Sequence, residues 1–98
     1  MEKTKLPEPF RTDWINALRS GEYKQGFGTL YADGCFCCLG VGANVKGASA
    51  EQLKGWCYMP GDTQFQVDLN AEELIGLANM NDTGLTFPEI ADYIEQNH

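Results

Sequence analysis

Histidine is nearly absent from this chain: His98 is the only one. A Ser–His or Cys–His couple for nucleophilic catalysis therefore has no base within the body of the sequence, and the His-containing zinc sets cannot be assembled. Basic residues are scarce too. Seven Lys and Arg stand against fourteen Asp and Glu, a net charge of −7. Nucleic acid held through its phosphates needs a basic stripe, and an anionic membrane surface needs a polybasic segment, so the balance argues against both partners. No apolar run approaches the roughly 20 residues of a membrane-spanning helix. Met1-Glu2-Lys3-Thr4-Lys5 leads into Leu6-Pro7-Glu8-Pro9 without the apolar stretch of a signal peptide. The expectation is a cytoplasmic protein.

Spaced cysteine pairs are also missing. Cys35, Cys37 and Cys38 crowd one segment, and only Cys57 is remote. That spacing suits neither a disulfide framework nor a zinc site, and it predicts free thiols acting as small hydrophobes, with no metal. With 98 residues the chain is one domain with a small core. The domain is expected over 11–98, preceded by a loose polar arm, 1–10.

What the chain does have is an apolar, glycine-rich stretch, Gly26–Val45. Asp33-Gly34 divides it into two apolar runs, a strong signal for a two-residue hairpin turn. Strands are expected at 28–32 and 35–39, with Tyr31 opposite Phe36 and Ala32 opposite Cys35. Neither face of this hairpin carries charge, so one face should pack on helices and the other on something else. Gly40-Val41-Gly42 invites a dinucleotide-binding reading, but the third glycine is replaced by Val45. The glycines fit better as a tight exit into a short helix or turn near 39–45.

Helices are expected at 12–20, 71–80 and 87–97. Trp14, Ala17 and Leu18 form the stripe of the first, with Thr12 as its cap. Leu74, Leu77 and Ala78 serve the second, and Phe87, Ile90, Ala91 and Ile94 the third. Ser49/Gln52, Asn70/Glu73 and Thr86/Glu89 each read as a capping box. Gln64–Leu69 alternates polar with apolar and predicts a third strand. The fold class is α+β: a short antiparallel sheet, hairpin plus one strand, packed against three helices.

Ala17-Leu-Arg-Ser-Gly-Glu-Tyr-Lys-Gln-Gly26, Cys37-Cys-Leu-Gly-Val41, Leu77-Ala-Asn-Met-Asn-Asp-Thr-Gly84 and Phe87-Pro-Glu-Ile-Ala-Asp-Tyr-Ile-Glu95 occur together. The combination resembles a family of small proteins of tailed-phage and prophage genomes, with the likeness running from residue 11 to 95 and weakest over 46–68. Members often carry a further cysteine two residues after the Cys-Cys-Leu-Gly-Val core; Gly42-Ala43 follows it here. The resemblance implies an origin, and with it a host-cell cytoplasm, but no reaction.

No catalytic constellation can be drawn, so an enzyme is not expected, nor a cofactor. By analogy of size and setting, the chain resembles phage sponges that sequester nucleotide immune signals such as cyclic ADP-ribose isomers or cyclic dinucleotides. Arg19, Tyr23, Lys24, Gln25, Phe27, Tyr31, Phe36 and Lys46 are the expected ligand contacts. The rings would stack on a base, and the cations would neutralise a pyrophosphate. Trp56 and Tyr58 could add rings. The alternative is an inhibitor or adaptor that binds a host protein through the uncharged hairpin. That same hairpin predicts a homodimer.

Overall fold

The computed structural model describes residues 3–98. Asp33 has φ +52° and Gly34 φ +81°, the left-handed pair that a tight hairpin turn requires. The turn sets the expected register, Tyr31 opposite Phe36 and Ala32 opposite Cys35. The strands are shorter than the apolar runs: β1 is Tyr31–Ala32 and β2 is Cys35–Phe36. The second run turns helical at once. The Cys37 Sγ accepts the Gly40 N–H at 3.4 Å and caps the helix α2, Cys38–Val45. The first helix, α1, is Phe10–Arg19.

The expected strand 35–39 fails because a short, wholly apolar run reads alike as buried strand or buried helix. Cys38 through Ala43 are all buried, so α2 is apolar on every side. Its glycines let other elements close on it. A Cβ at Gly40 would stand 1.9 Å from the Leu30 carbonyl oxygen, and one at Gly42 would meet Val67 at 2.6 Å and the Trp14 ring at 3.1 Å.

The three capping boxes form. Ser49 opens α3 (Ala50–Leu53), Asn70 opens α4 (Ala71–Asp82) and Thr86 opens α5 (Phe87–Asn97). Each pairs a cap side chain with the N–H three residues on, and the Gln or Glu there with the cap N–H. Thr12 is not a cap. Helix α1 begins two residues earlier, and the Glu8 carboxylate accepts both the Thr12 N–H at 3.0 Å and the Thr12 hydroxyl at 2.8 Å.

The expected strand at 64–69 is absent. Thr63–Phe65 forms one 3-10 turn, and the chain beyond it runs without a strand partner. Its alternation was a burial pattern only: Val67 and Leu69 are buried and Phe65 half-buried. Every free edge of the hairpin is already taken. The Gly26 N–H donates to Phe36 and the Phe36 N–H to Lys24, while the Leu30 N–H donates to Trp56. Bridges of Gln25 with Phe36 and of Tyr31 with Lys54 extend the hairpin on both sides.

The helices wrap this small sheet as an α+β fold. Helix α1 packs on α5 and α2, and α2 packs on α4. Trp14, Leu18, Leu30, Leu39, Leu53, Leu74, Leu77, Ile90 and Ile94 are the largest apolar side chains sealed in the core. Fully burying such a side chain contributes about 1.5–3 kcal/mol. The Trp14 indole N–H donates to the Cys38 carbonyl at 3.0 Å, which satisfies the one polar atom of a wholly buried ring. The described part of the expected loose arm is fastened down. Leu6 is buried and its N–H donates to the His98 carbonyl, while Thr4 donates twice to Glu73. Residues 1 and 2 of that arm lie outside the described residues. No helix among the described residues is long and apolar enough to cross a membrane.

Candidate functional site

Four backbone segments lie side by side: 24–26, β2, β1 and 54–56. Bridged residues share a face of such a layer, so Phe36 and Tyr31 stand next to each other across the hairpin. Their ring centroids are 4.9 Å apart, and Tyr23 meets Phe36 edge-on at 5.1 Å. All three rings are half-buried. The Tyr23 hydroxyl donates to Asn44 on α2, and burial pushes its pKa up, with Glu22 adding to the effect. Lys24 and Lys54, both exposed, come from the two outer segments of the layer.

The outer segment 54–56 runs on into a loop, Gly55–Gly61, around an open cavity of about 420 Å³ lined by Trp56, Cys57, Tyr58, Met59 and Pro60. The indole of Trp56 rests against Gly61, where an added Cβ would stand 2.5 Å from the ring. Trp56 is nevertheless 49% exposed, so the ring packs on the loop and remains accessible. The cavity falls within the roughly 300–1,000 Å³ range of small-molecule sites, and its walls are mainly apolar.

The base of the hairpin is held by one buried amide. Asn81 is fully buried near the end of α4. Its Oδ1 accepts the Gln25 side-chain amide at 3.0 Å and the Cys38 N–H at 3.2 Å. Its Nδ2 donates to the Gly26 carbonyl at 2.8 Å and to Asp82 at 3.2 Å. Asp82 in turn accepts the Gly28 N–H at 3.0 Å. An asparagine beside Asp82, Thr83 and Gly84 reads as turn chemistry in a sequence, and nothing local marks it as a tertiary clamp.

The eight expected contacts divide. Tyr23, Tyr31 and Phe36 are brought together, and the backbone of Lys24 lies in the same layer. Gln25 belongs to the same layer, but its amide points inward to Asn81 and the Leu85 carbonyl. Arg19, Phe27 and Lys46 do not join the cluster. Arg19 lies between helices, 2.6 Å from Asp92 and 3.2 Å from Glu95, and the Glu95 carboxylate followed by Asp92 raises its pKa. Lys46 pairs with Asp68 at 2.7 Å and sits over the Phe10 ring at 4.9 Å. In a chain this acidic, carboxylates on neighbouring elements take up these cations, an outcome set by tertiary contacts. Phe27 is 61% exposed in the loop before β1. Trp56 was among the rings that the sequence offered, whereas Lys54 was missed, because nothing in the pattern of 54–63 places its backbone beside Tyr31.

Cys37 and Cys38 are buried, Cys35 is half-buried and Cys57 is exposed, all as free thiols. Burial raises the pKa of Cys37 and Cys38. Among the described residues no three His, Cys, Asp or Glu side chains converge as metal ligands.

The profile of a family described as a domain of unknown function (DUF8296) matches residues 7–67. The chain belongs to that family. The matched stretch holds α1, the hairpin, α2, α3 and the 55–61 loop, so all four segments of the layer lie within it. The Asn81 clamp and helices α4 and α5 lie beyond it. Comparison with curated proteins and with solved structures gives no match.

Proposed function

We propose that this protein binds and sequesters a nucleotide-type signal without changing it, as a phage-type accessory protein that counters a host defence. The observation that carries the reading is the meeting, along 54–56, of the Tyr23–Phe36–Tyr31 row with the apolar cavity under Trp56. These are two places where a planar base can stack, each such contact being worth about 1–3 kcal/mol. Lys24 and Lys54 supply the charge for a phosphate, in place of Arg19 and Lys46. The three rings are half-buried, and a second copy of the chain would cover what they expose; the proposed assembly is a homodimer, checked by light scattering.

A thermal-shift screen with cyclic ADP-ribose isomers and cyclic dinucleotides tests the reading. A ligand at one hundred times its Kd adds about 2.7 kcal/mol, or roughly 10–20 °C in a domain of this size. Tyr31→Ala and Lys54→Glu should each reduce the shift, and the compound should be recovered intact from the denatured complex. If no member of the panel moves the midpoint by more than a degree or two, the reading is wrong.

A second reading rests on a different observation. Phe27 and Trp56 are large, apolar and exposed, the residue types that anchor protein interfaces. A net charge of −7 would suit a basic partner. An inhibitor or adaptor acting on a host protein would lose its partner on Trp56→Ala while remaining indifferent to nucleotides.

A further inference from the structure

The cavity under Trp56 is built by one short stretch of chain. Residues 55–61 line all of it, and no other element contributes a wall. The stretch is tied down at its two ends. At Trp56 the N–H donates to the Leu53 carbonyl at 3.2 Å, and the carbonyl accepts the Leu30 N–H at 2.7 Å. At Asp62 the carboxylate accepts the Gln64 N–H at 3.1 Å and the Gln64 side-chain amide at 2.8 Å, while the carbonyl accepts the Phe65 N–H. Between these points, residues 57–61 make no hydrogen bond to any described residue.

Packing alone therefore holds 57–61 in place. Pro60 is buried, and Tyr58 and Met59 are half-buried against the core. The stretch closes on itself where the Trp56 ring lies against Gly61. At Gly55 φ is +85° and nothing stands within 4 Å of the Cβ position. The backbone has both the conformational freedom and the space to turn there. No hydrogen bond has to break for the stretch to open. Segments held in this way open at a small free-energy cost, and the lids of binding sites are drawn from them.

We infer that residues 55–61 are a lid that opens about Gly55 and closes by seating the Trp56 ring on Gly61, and that the cavity exists only in the closed form. The lid rests on the nucleotide reading above only for what fills the cavity. A ligand in a cavity lined by one hinged stretch binds the closed form alone and draws the population toward it. Its apparent Kd is then the intrinsic value divided by the closed fraction. Substitution at Gly61 acts on that fraction without altering the Tyr23–Phe36–Tyr31 row.

Amide NMR relaxation of the full chain tests the lid without a ligand. The amides of 57–59 and 61, and the Trp56 indole N–H, should show exchange on the μs–ms timescale of lid motion, with flat profiles at Leu30 and Leu53. Gly61→Ala would set a Cβ 2.5 Å from the Trp56 ring. Gly61 has no positive φ and the ring can swing aside, so the variant keeps the fold. It should shift the exchanging signals toward the open form and raise acrylamide quenching of Trp56 about twofold, from 49% exposure toward full exposure. Trp14 is wholly buried and stays silent. Order parameters of about 0.85 with flat profiles across 57–61 overturn the inference, since the loop is then rigid. Values below about 0.6 without exchange also overturn it, since the loop then has no closed state. A nucleotide that raises the melting midpoint should suppress the exchange, and one that leaves the exchange unchanged overturns the lid. Exchange in the free chain with no response to any nucleotide upholds the lid and counts against the nucleotide reading alone.

Discussion

Asn81 offers the sharpest test of how the hairpin is held to the helices. In Asn81→Leu the branching and the number of heavy atoms are kept, but four hydrogen bonds disappear. Gln25 retains the Leu85 carbonyl at 2.7 Å, and Asp82 is exposed to water. The Cys38 N–H, at the first turn of α2, is buried and has no such recourse, and the Gly26 carbonyl belongs to a half-buried residue. Leaving a buried polar group unsatisfied costs about 1–3 kcal/mol, so the Cys38 N–H alone should cost that much and the two groups together up to roughly 6 kcal/mol. That is a large share of the 5–15 kcal/mol typical of a whole domain. A midrange loss of about 4 kcal/mol would lower the melting midpoint by roughly 16–32 °C. Urea titration followed by tryptophan fluorescence measures it directly. Asn81→Asp separates hydrogen bonding from packing. It keeps the acceptor but sets a buried carboxylate against Asp82 and the Gly26 carbonyl. Its folded-state pKa is therefore raised, so its stability deficit should grow as pH rises through that value and shrink in acid, where the protonated carboxyl can donate. A loss under about 1 kcal/mol for Asn81→Leu would refute the clamp.

Three further outcomes are expected. Gly40→Ala should cost at least about 3 kcal/mol in urea denaturation, because its Cβ would stand 1.9 Å from a backbone oxygen that cannot swing aside; Gly76→Ala, where nothing lies within 4 Å, is the control and should be neutral or stabilising. The Glu73 carboxyl is held below its ordinary value of 4.5, so the stability it lends is present above that pH and is lost as pH falls through the folded-state value; Glu73→Gln should flatten that part of an acid-unfolding curve. Thiol labelling of the native protein should modify Cys57 first and Cys35 more slowly, with Cys37 and Cys38 reacting only on unfolding, and a fast Cys37 would contradict its burial.

Much of the local structure was determined by the sequence alone. Asp33-Gly34 fixed the turn and the register, since few other residue pairs take φ of +52° and +81° without strain. The three capping boxes started α3, α4 and α5 because their hydrogen bonds close within four residues. The Phe87, Ile90, Ala91 and Ile94 stripe is buried as its spacing requires. These are short-range effects, complete within a few neighbouring residues.

Tertiary structure decided what local pattern leaves degenerate. Cys38–Val45 is a helix because the site is buried on all sides, where strand and helix satisfy the same apolar run. Gln64–Leu69 is not a strand because segments 24–26 and 54–56 already occupy the hairpin's edges, and a strand without a partner leaves its backbone groups unpaired. The candidate site divided for the same reason. Tyr23, Tyr31 and Phe36 converge through strand register, which the sequence encodes. Arg19 and Lys46 were drawn away by Asp92, Glu95 and Asp68, residues 22 to 76 positions distant in the chain. Coulomb attraction depends on separation in space, and only the packed helices determine that.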